Sequence, residues 1–199
     1  MDGKELVSGA AYDVYMDIKK RTNGEIYFGV VGPVRTGKST FIKRFMELCV
    51  LPSMKDDNKR KRAQDELPQS SGGTTVMTVE PKFIPSEAAL ISPFEGINMK
   101  VRLVDCVGFM VEGANGHLDN GKERMVKTPW DTKEIAFSKA AEIGTKKVIN
   151  DHSTIGIVVT TDGSFTEIDR TNYVAAEKKT IHELKKINKP FVVILNSDK

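Results

Sequence analysis

A chain of 199 residues, 39% of them hydrophobic and 29% charged, is long enough to bury the core of one domain and too apolar to be disordered. An excess of three positive charges is too small to indicate a nucleic-acid partner, and none is expected. No apolar run reaches the roughly 18 residues of a membrane helix, and two isolated cysteines are typical of a reducing compartment. We therefore expect a cytoplasmic protein whose residues 1–199 form one domain.

The predicted elements alternate between strands and helices. Ile26–Val31 is a continuously apolar run, which indicates a buried strand, and apolar residues recur at helical spacing over Ser39–Val50. The polar segment Pro52–Gly73 predicts a loop with one short helix. The later predicted elements are strands over Lys82–Ile91, Met99–Asp105, Thr154–Thr161 and Pro190–Leu195 and helices over Ala136–Asn150 and Asn172–Ile187. This alternation predicts an α/β fold, a three-layer sandwich with a mostly parallel sheet and helices on both faces.

The segment between the first strand and the first helix matches the phosphate-binding pattern G-x-x-x-x-G-K-[ST] of P-loop nucleoside triphosphatases. In such a loop, backbone N–H groups surround the phosphates at the positive end of the following helix. Lys38 would reach the β- and γ-phosphates, and the Ser39 hydroxyl would bind Mg²⁺. The predicted nucleotide-binding residues are Gly32, Pro33, Val34, Arg35, Thr36, Gly37, Lys38, Ser39 and Thr40.

A second acidic residue directed at Mg²⁺ is expected at the end of a neighbouring strand. Asp105 follows the apolar strand, and Gly108 comes three residues later, where its N–H can face the γ-phosphate. A lone Asp at a strand end is usually a turn former, but beside a P-loop it indicates a metal ligand. The long Gly- and Lys-rich segment Gly108–Trp130 predicts a functional insertion, so we place a second switch and this insertion at about 105–130.

A first switch is expected at about 69–80, where a threonine would join the Mg²⁺ shell and sense the γ-phosphate. Thr75 fits the Gly-Thr-Thr pattern of such loops, while Thr78 lies nearer the next strand. The local sequence does not choose between them, so both are candidate metal ligands.

Guanine-specific proteins of this layout carry N-K-x-D after the last of these strands. Here the sequence reads Asn196, Ser197, Asp198 and Lys199, so the base-reading Asp is replaced by Lys199. Guanine donors would stay unpaired there, which favours ATP over GTP as the substrate. Asn196 remains a candidate nucleotide-binding residue.

Several stretches of the chain resemble the stage IV sporulation protein A family of endospore-forming bacteria. They are GVVGPVRTGKSTFIKRFMEL, RAQDELPQS, MTVEPKFIP, VRLVDCVGF, AAEIGTKKVI, DHSTIGIVVTTDG and KPFVVILNS. The resemblance extends over Tyr15–Ser197 and covers only the N-terminal domain of a longer family, whose C-terminal domains are not part of this sequence.

The resemblance implies an ATPase of the GTPase-like (TRAFAC) superclass that polymerises as the base layer of the spore coat. Such proteins lie at the outer forespore membrane in the mother cell, where the small amphipathic stage V sporulation protein M and other coat proteins are partners. The resemblance gives Lys38 and Ser39 as the P-loop pair and Asp105 as the metal-directed acid, and it favours Thr78 as the threonine that couples ATP to conformation. The catalytic candidates among these residues are Lys38, Thr78 and Asp105. Val79 departs from the family, in which a second Thr can occupy this position.

Arg35 occupies a position where several proteins with this P-loop layout use Asn or Ser to hold K⁺ against the phosphates. A guanidinium is a permanent cation, so Arg35 is a candidate catalytic residue that would replace K⁺. The alternative is an Arg35 that turns to solvent or pairs with a nearby acid.

Two other functions fit parts of the pattern. A GTPase switch in ribosome assembly or tRNA modification shares the P-loop, the threonine segment and D-x-x-G, but Asn196–Lys199 opposes it. A small-molecule kinase usually needs a lid with several arginines, and Gly108–Trp130 contains only Arg124. The sequence therefore favours Mg²⁺-dependent ATP hydrolysis that drives self-assembly.

Overall fold

The computed structural model describes residues 24–68, 79–94, 97–119 and 121–198. In chain order its elements are β1 (Glu25–Val31), α1 (Lys38–Phe45), α2 (Asp57–Asp65), β2 (Lys82–Phe94), β3 (Ile97–Asp105), β4 (Leu118–Asp119), β5 (Lys122–Glu123), β6 (Met125–Thr128), β7 (Asp131–Ala136), α3 (Phe137–Lys147), β8 (Ile155–Thr161), α4 (Arg170–Lys186) and β9 (Phe191–Asn196). All the strands and helices predicted from the sequence are present, with ends shifted by a few residues.

Five strands form the central sheet in the order β2-β3-β1-β8-β9. Strand β1 is parallel to both β3 and β8, and β9 is parallel to β8, whereas β2 is antiparallel to β3 at one edge. The predicted mostly parallel sheet is therefore confirmed. Because the chain moves to opposite sides of β1 when it forms β3 and β8, a crevice opens at the carboxyl end of β1, where α/β proteins bind ligands.

Helices cover both faces of the sheet, as predicted. On one face, Val30 and Leu103 pack with Ile42 of α1 and with Met46 in the helical turn that follows. On the other face, Val31, Val104 and Val158 pack with buried residues of α4, which are Tyr173, Ala176 and Leu184. These residues recur on one side of α4, and the Asp169 carboxylate caps its first turn by accepting from Thr171 N–H at 2.7 Å.

The insertion before α3 contains structure that the sequence did not predict. Two short antiparallel pairs, β4–β5 and β6–β7, lie in its second half and in the residues that lead to α3. Their residues are largely exposed, so they lack the apolar alternation that marks a buried strand. Among the described residues, no helix is both long and apolar enough to cross a membrane.

Candidate nucleotide-binding site

The P-loop connects β1 to α1 at the crevice described above. Gly37 precedes α1 with a positive φ of 90°, and no side chain caps the helix. The first N–H groups of such a helix and its dipole favour a bound anion. Gly32 has a φ of 135°, and a Cβ atom there would lie 2.3 Å from the Val159 carbonyl oxygen. Both positions therefore require glycine, and they set the path of the loop.

Backbone hydrogen bonds fasten the P-loop to the segment after Asp105. Val34 N–H donates to the Phe109 carbonyl at 2.9 Å, and Phe109 N–H donates to the Gly32 carbonyl at 3.2 Å. Within the loop, the buried Thr36 hydroxyl donates to the Pro33 carbonyl at 3.0 Å. These bonds hold the loop and the Asp105 segment in a fixed relation.

Lys38 is buried against the loop that it follows. Its side chain is 5% exposed, and Nζ donates to the Pro33 carbonyl at 2.5 Å. Burial lowers the pKa of this ammonium group, and the nearby Asp105 charge opposes that shift. A Cβ atom on Gly108 would lie only 2.6 Å from Nζ and 2.3 Å from the Gly32 carbonyl oxygen. Gly108, with a φ of 98°, thus leaves the space that Lys38 occupies.

Ser39 and Asp105 meet beside Lys38. The Ser39 hydroxyl donates to Asp105 Oδ2 at 3.0 Å, whereas Oδ1 is buried and has no hydrogen-bond partner among the described residues. Burial raises the pKa of this carboxyl, opposed by Lys38 and by the hydrogen bond from Ser39. A hydroxyl and a carboxylate oxygen are hard ligands, and Mg²⁺ commonly uses one carboxylate together with substrate phosphates. The unpartnered Oδ1 therefore fits a divalent cation.

Other predicted site residues lie around this centre. Arg35 is exposed and has a φ of 60°, a left-handed conformation that a non-glycine residue adopts at a cost. The Asn196 side chain donates from Nδ2 to the Thr36 carbonyl at 3.1 Å. Thr75 and Thr78 lie outside the described residues.

The segment that follows β9 is tied to the end of β8. The Ser197 hydroxyl donates to Asp162 Oδ2 at 2.6 Å, and Asp198 N–H donates to the Ser164 hydroxyl at 3.1 Å. Lys199 lies outside the described residues.

The family described as stage IV sporulation protein A, ATPase domain, matches residues 10–199. The chain belongs to this family. The resemblance seen in the sequence is thereby confirmed, and the chain is placed among sporulation proteins that contain an ATPase domain.

Similar proteins include stage IV sporulation protein A of Clostridioides difficile (strain 630), which is 59% identical over 185 residues. The proteins of the same name from Bacillus anthracis and Bacillus subtilis (strain 168) are 56% and 55% identical over 185 residues. Each comparison covers 93% of this chain but 38% of the relative. The chain thus spans well under half the length of these relatives.

Sequence reasoning missed two backbone contacts of the P-loop and one side chain at a neighbouring strand end. They are the Pro33 carbonyl, which accepts from Lys38 and Thr36, the Phe109 backbone, and Asp162, which accepts from Ser197. The first two act through backbone atoms, which any residue supplies, so the sequence contains no signal for them. Asp162 follows directly after strand β8, and a polar residue at a carboxyl strand end is a usable signal.

Proposed function

We propose that this chain is a Mg²⁺-dependent ATPase domain, which hydrolyses ATP to ADP and phosphate. The observation that carries the proposal is the contact between Ser39 and Asp105 beside the buried Lys38, with Asp105 Oδ1 left without a hydrogen-bond partner in the described part of the chain. The family's description as an ATPase domain supports the same reaction.

Each residue of the P-loop has a proposed task. The backbone of Gly32–Thr40 binds the phosphates, and Lys38 exchanges its Pro33 contact for the β- and γ-phosphates. Gly108 provides an N–H group for the γ-phosphate, and Asn196 keeps the loop in place. Apart from this movement of Lys38, these groups are positioned before substrate arrives, so little further reorganisation accompanies the reaction.

Ser39 and Asp105 would hold the metal ion, together with Thr75 or Thr78. Bound Mg²⁺ supplies neutralising charge for the phosphate oxygens. A bound cation would contact Asp105 Oδ1, the oxygen without a partner among the described residues. This contact would offset the free-energy cost of burying the carboxylate. Ser39 would orient that carboxylate through its hydroxyl.

Arg35 is proposed as the cation that serves where other P-loop proteins use K⁺. A left-handed backbone at a charged residue is costly, and such strain is concentrated at functional sites. Arg35 is exposed, and its neighbours in the chain, Val34 and Thr36, are predicted to bind phosphate. Arginines that reach a transferring phosphoryl group accelerate hydrolysis by about 10³–10⁵.

The biological role extends beyond this chain. We infer that residues 1–199 form the ATPase domain, with switches at about 69–80 and 105–130. In the longer protein, hydrolysis would drive self-assembly of the basement layer of the spore coat at the outer forespore membrane, in the mother-cell cytoplasm. Stage V sporulation protein M and other coat proteins are the proposed partners there.

Product analysis tests the proposed reaction. The purified chain is incubated with labelled ATP or GTP and Mg²⁺, and the products are separated. We expect ADP and phosphate from ATP and no turnover when a chelator removes Mg²⁺. ATP that stays intact at high protein concentration would contradict hydrolysis by this chain.

A further inference from the structure

A third hydrophobic cluster lies beside the proposed site, and we call it the junction cluster. Its buried members are Val79, Phe137, Ala140 and Ala141, and the half-buried residues packed against it are Val107, Met110, Val126 and Ile135. Three segments meet here. Val79 follows Thr78 in the chain, Val107 and Met110 follow Asp105, and Val126 and Ile135 belong to the β6–β7 pair. The cluster therefore connects the residues that follow Thr78 and Asp105 in the chain to the insertion.

The backbone of Val79 passes close to Gly144 of α3. A Cβ atom on Gly144 would lie 2.7 Å from the Val79 carbonyl oxygen, a distance that requires something to move. Glycine inside a helix is less stable than alanine. Local helix stability therefore does not account for Gly144, whereas the close approach of the Val79 backbone does.

Trp130 of the insertion lies at the same contact. Its Cη2 atom is 3.7 Å from the position of a Gly144 Cβ, and Lys147 Nζ is 5.9 Å from the centre of its ring. The insertion is also attached to the start of α3. Phe137 N–H donates to the Arg124 carbonyl at 2.8 Å, and the Arg124 guanidinium lies 4.3 Å from the centre of the Phe137 ring. A shift of Val79 relative to α3 would therefore change the surroundings of Trp130.

We propose that Gly144 is a positioning residue, which lets the Val79 backbone rest on α3 and so couples the nucleotide site to the insertion through the junction cluster. The inference rests on the proposed function, because Thr78 and Asp105 matter only if nucleotide and metal bind there. Coupling of this kind is reciprocal, so the packing of the insertion also affects the site. The insertion thus reports nucleotide binding to the outer surface of the domain.

Tryptophan fluorescence tests the coupling without requiring hydrolysis. Trp130 is the only tryptophan in the sequence. The chain is titrated with Mg²⁺ and a non-hydrolysable ATP analogue while tryptophan emission is recorded, and calorimetry measures binding separately. For the unmodified chain we expect an emission change with the same midpoint as binding.

Gly144→Ala should bind the analogue with an affinity within about threefold of the unmodified chain but lose most of the emission change. Its kcat for ATP should fall about tenfold or more, because a small displacement of positioned groups reduces the rate strongly. Lys139→Ala is the matched control, since Lys139 is an exposed residue of the same helix, and both readouts should stay unchanged. Val126→Ala removes two methyl groups from the junction cluster on the side of the insertion, and it should also lower both the emission change and kcat. This variant keeps the proposal testable if Gly144→Ala does not fold.

The outcomes distinguish the positioning role of Gly144, the coupling to the insertion and the proposed ATPase activity. Full emission change and full kcat in Gly144→Ala, or in Val126→Ala if the former is unfolded, would overturn the positioning role. Binding by the unmodified chain without any emission change would overturn the coupling and leave the proposed ATPase intact. Absence of nucleotide binding would overturn the proposed function, and this inference with it.

Discussion

The Asn196 side chain, at the end of β9, donates its amide to the Thr36 carbonyl of the P-loop at 3.1 Å. Gly37, the next residue of the loop, passes so close that a Cβ atom would lie 2.4 Å from the same nitrogen. Asn196 therefore holds the phosphate loop against the strand end. The neighbouring Ser197 hydroxyl donates to Asp162, so it too is engaged with the protein.

The sequence after β9 leads to a prediction about the nucleotide base. ATP should be hydrolysed at least as well as GTP, because no carboxylate stands at the position of Lys199 to accept the guanine donors. Competition with unlabelled nucleotide measures the preference. Asp198 lies one position before Lys199 and is the nearest carboxylate in the sequence that could substitute for the base-reading Asp. We expect Asp198→Asn to leave the nucleotide preference unchanged. GTP that competes a hundredfold better than ATP, or roughly 2.7 kcal/mol, would contradict the expectation.

Asp105→Asn should lower the rate of hydrolysis without lowering the free energy of unfolding. In the nucleotide-free protein it removes a charge that burial disfavours and keeps an oxygen for Ser39, so the free energy of unfolding should stay equal or rise by about 1 kcal/mol. Hydrolysis should fall at least about hundredfold, because the proposed metal loses its carboxylate.

Ser39→Ala is the paired variant. It leaves both Asp105 oxygens without a side-chain donor among the described residues. The free energy of unfolding should therefore fall by about 1–3 kcal/mol. Chemical denaturation of both variants, with hydrolysis assays beside it, measures these differences. An Asp105→Asn variant that retains full Mg²⁺-dependent turnover would exclude Asp105 as the metal ligand.

Replacing Na⁺ by K⁺ tests Arg35. If its guanidinium does the work of K⁺, the rate should not depend on which of these cations is present, and Arg35→Ala should lower kcat by about tenfold or more while nucleotide affinity changes little. Arg35→Asn should regain some rate in K⁺ but not in Na⁺. A strong K⁺ requirement in the unmodified chain, or an unchanged kcat in Arg35→Ala, would exclude the catalytic role of Arg35.

Much of the fold follows from the spacing of apolar residues. The apolar run Ile26–Val31 indicated a buried strand, and its place before the G-x-x-x-x-G-K-[ST] pattern supported the assignment of the P-loop. By contrast, most residues of β7 and half of those of β6 are exposed, and only Val126 and Ile135 of these strands pack against the cluster that contains Phe137, so the two strands have no recognisable apolar pattern. Sequence spacing also cannot show that Lys38 bonds to the Pro33 carbonyl, since backbone acceptors have no sequence signature.

Some residues of the site were predicted from the sequence, and others were not. Lys38 and Ser39 came from a spaced motif, and Asp105 from its place at a strand end, and the three lie together in the structure. The roles of Thr75 and Thr78 stay predictions, since both residues lie outside the described part of the chain. Gly144 gave no signal, because a single glycine in a helical pattern does not indicate which backbone approaches it.

The most direct test of the central claim is the ATPase rate of Lys38→Ala in saturating Mg²⁺ and ATP. Lys43→Ala, a change at a half-exposed lysine on the same helix, is the control and should hydrolyse ATP at the unmodified rate. Since burial already disfavours the Lys38 charge, its loss should shift the melting temperature of the nucleotide-free protein by only a few degrees. We predict turnover at background for Lys38→Ala; near-normal hydrolysis by this folded variant would contradict the assignment of Gly32–Ser39 as the phosphate-binding loop.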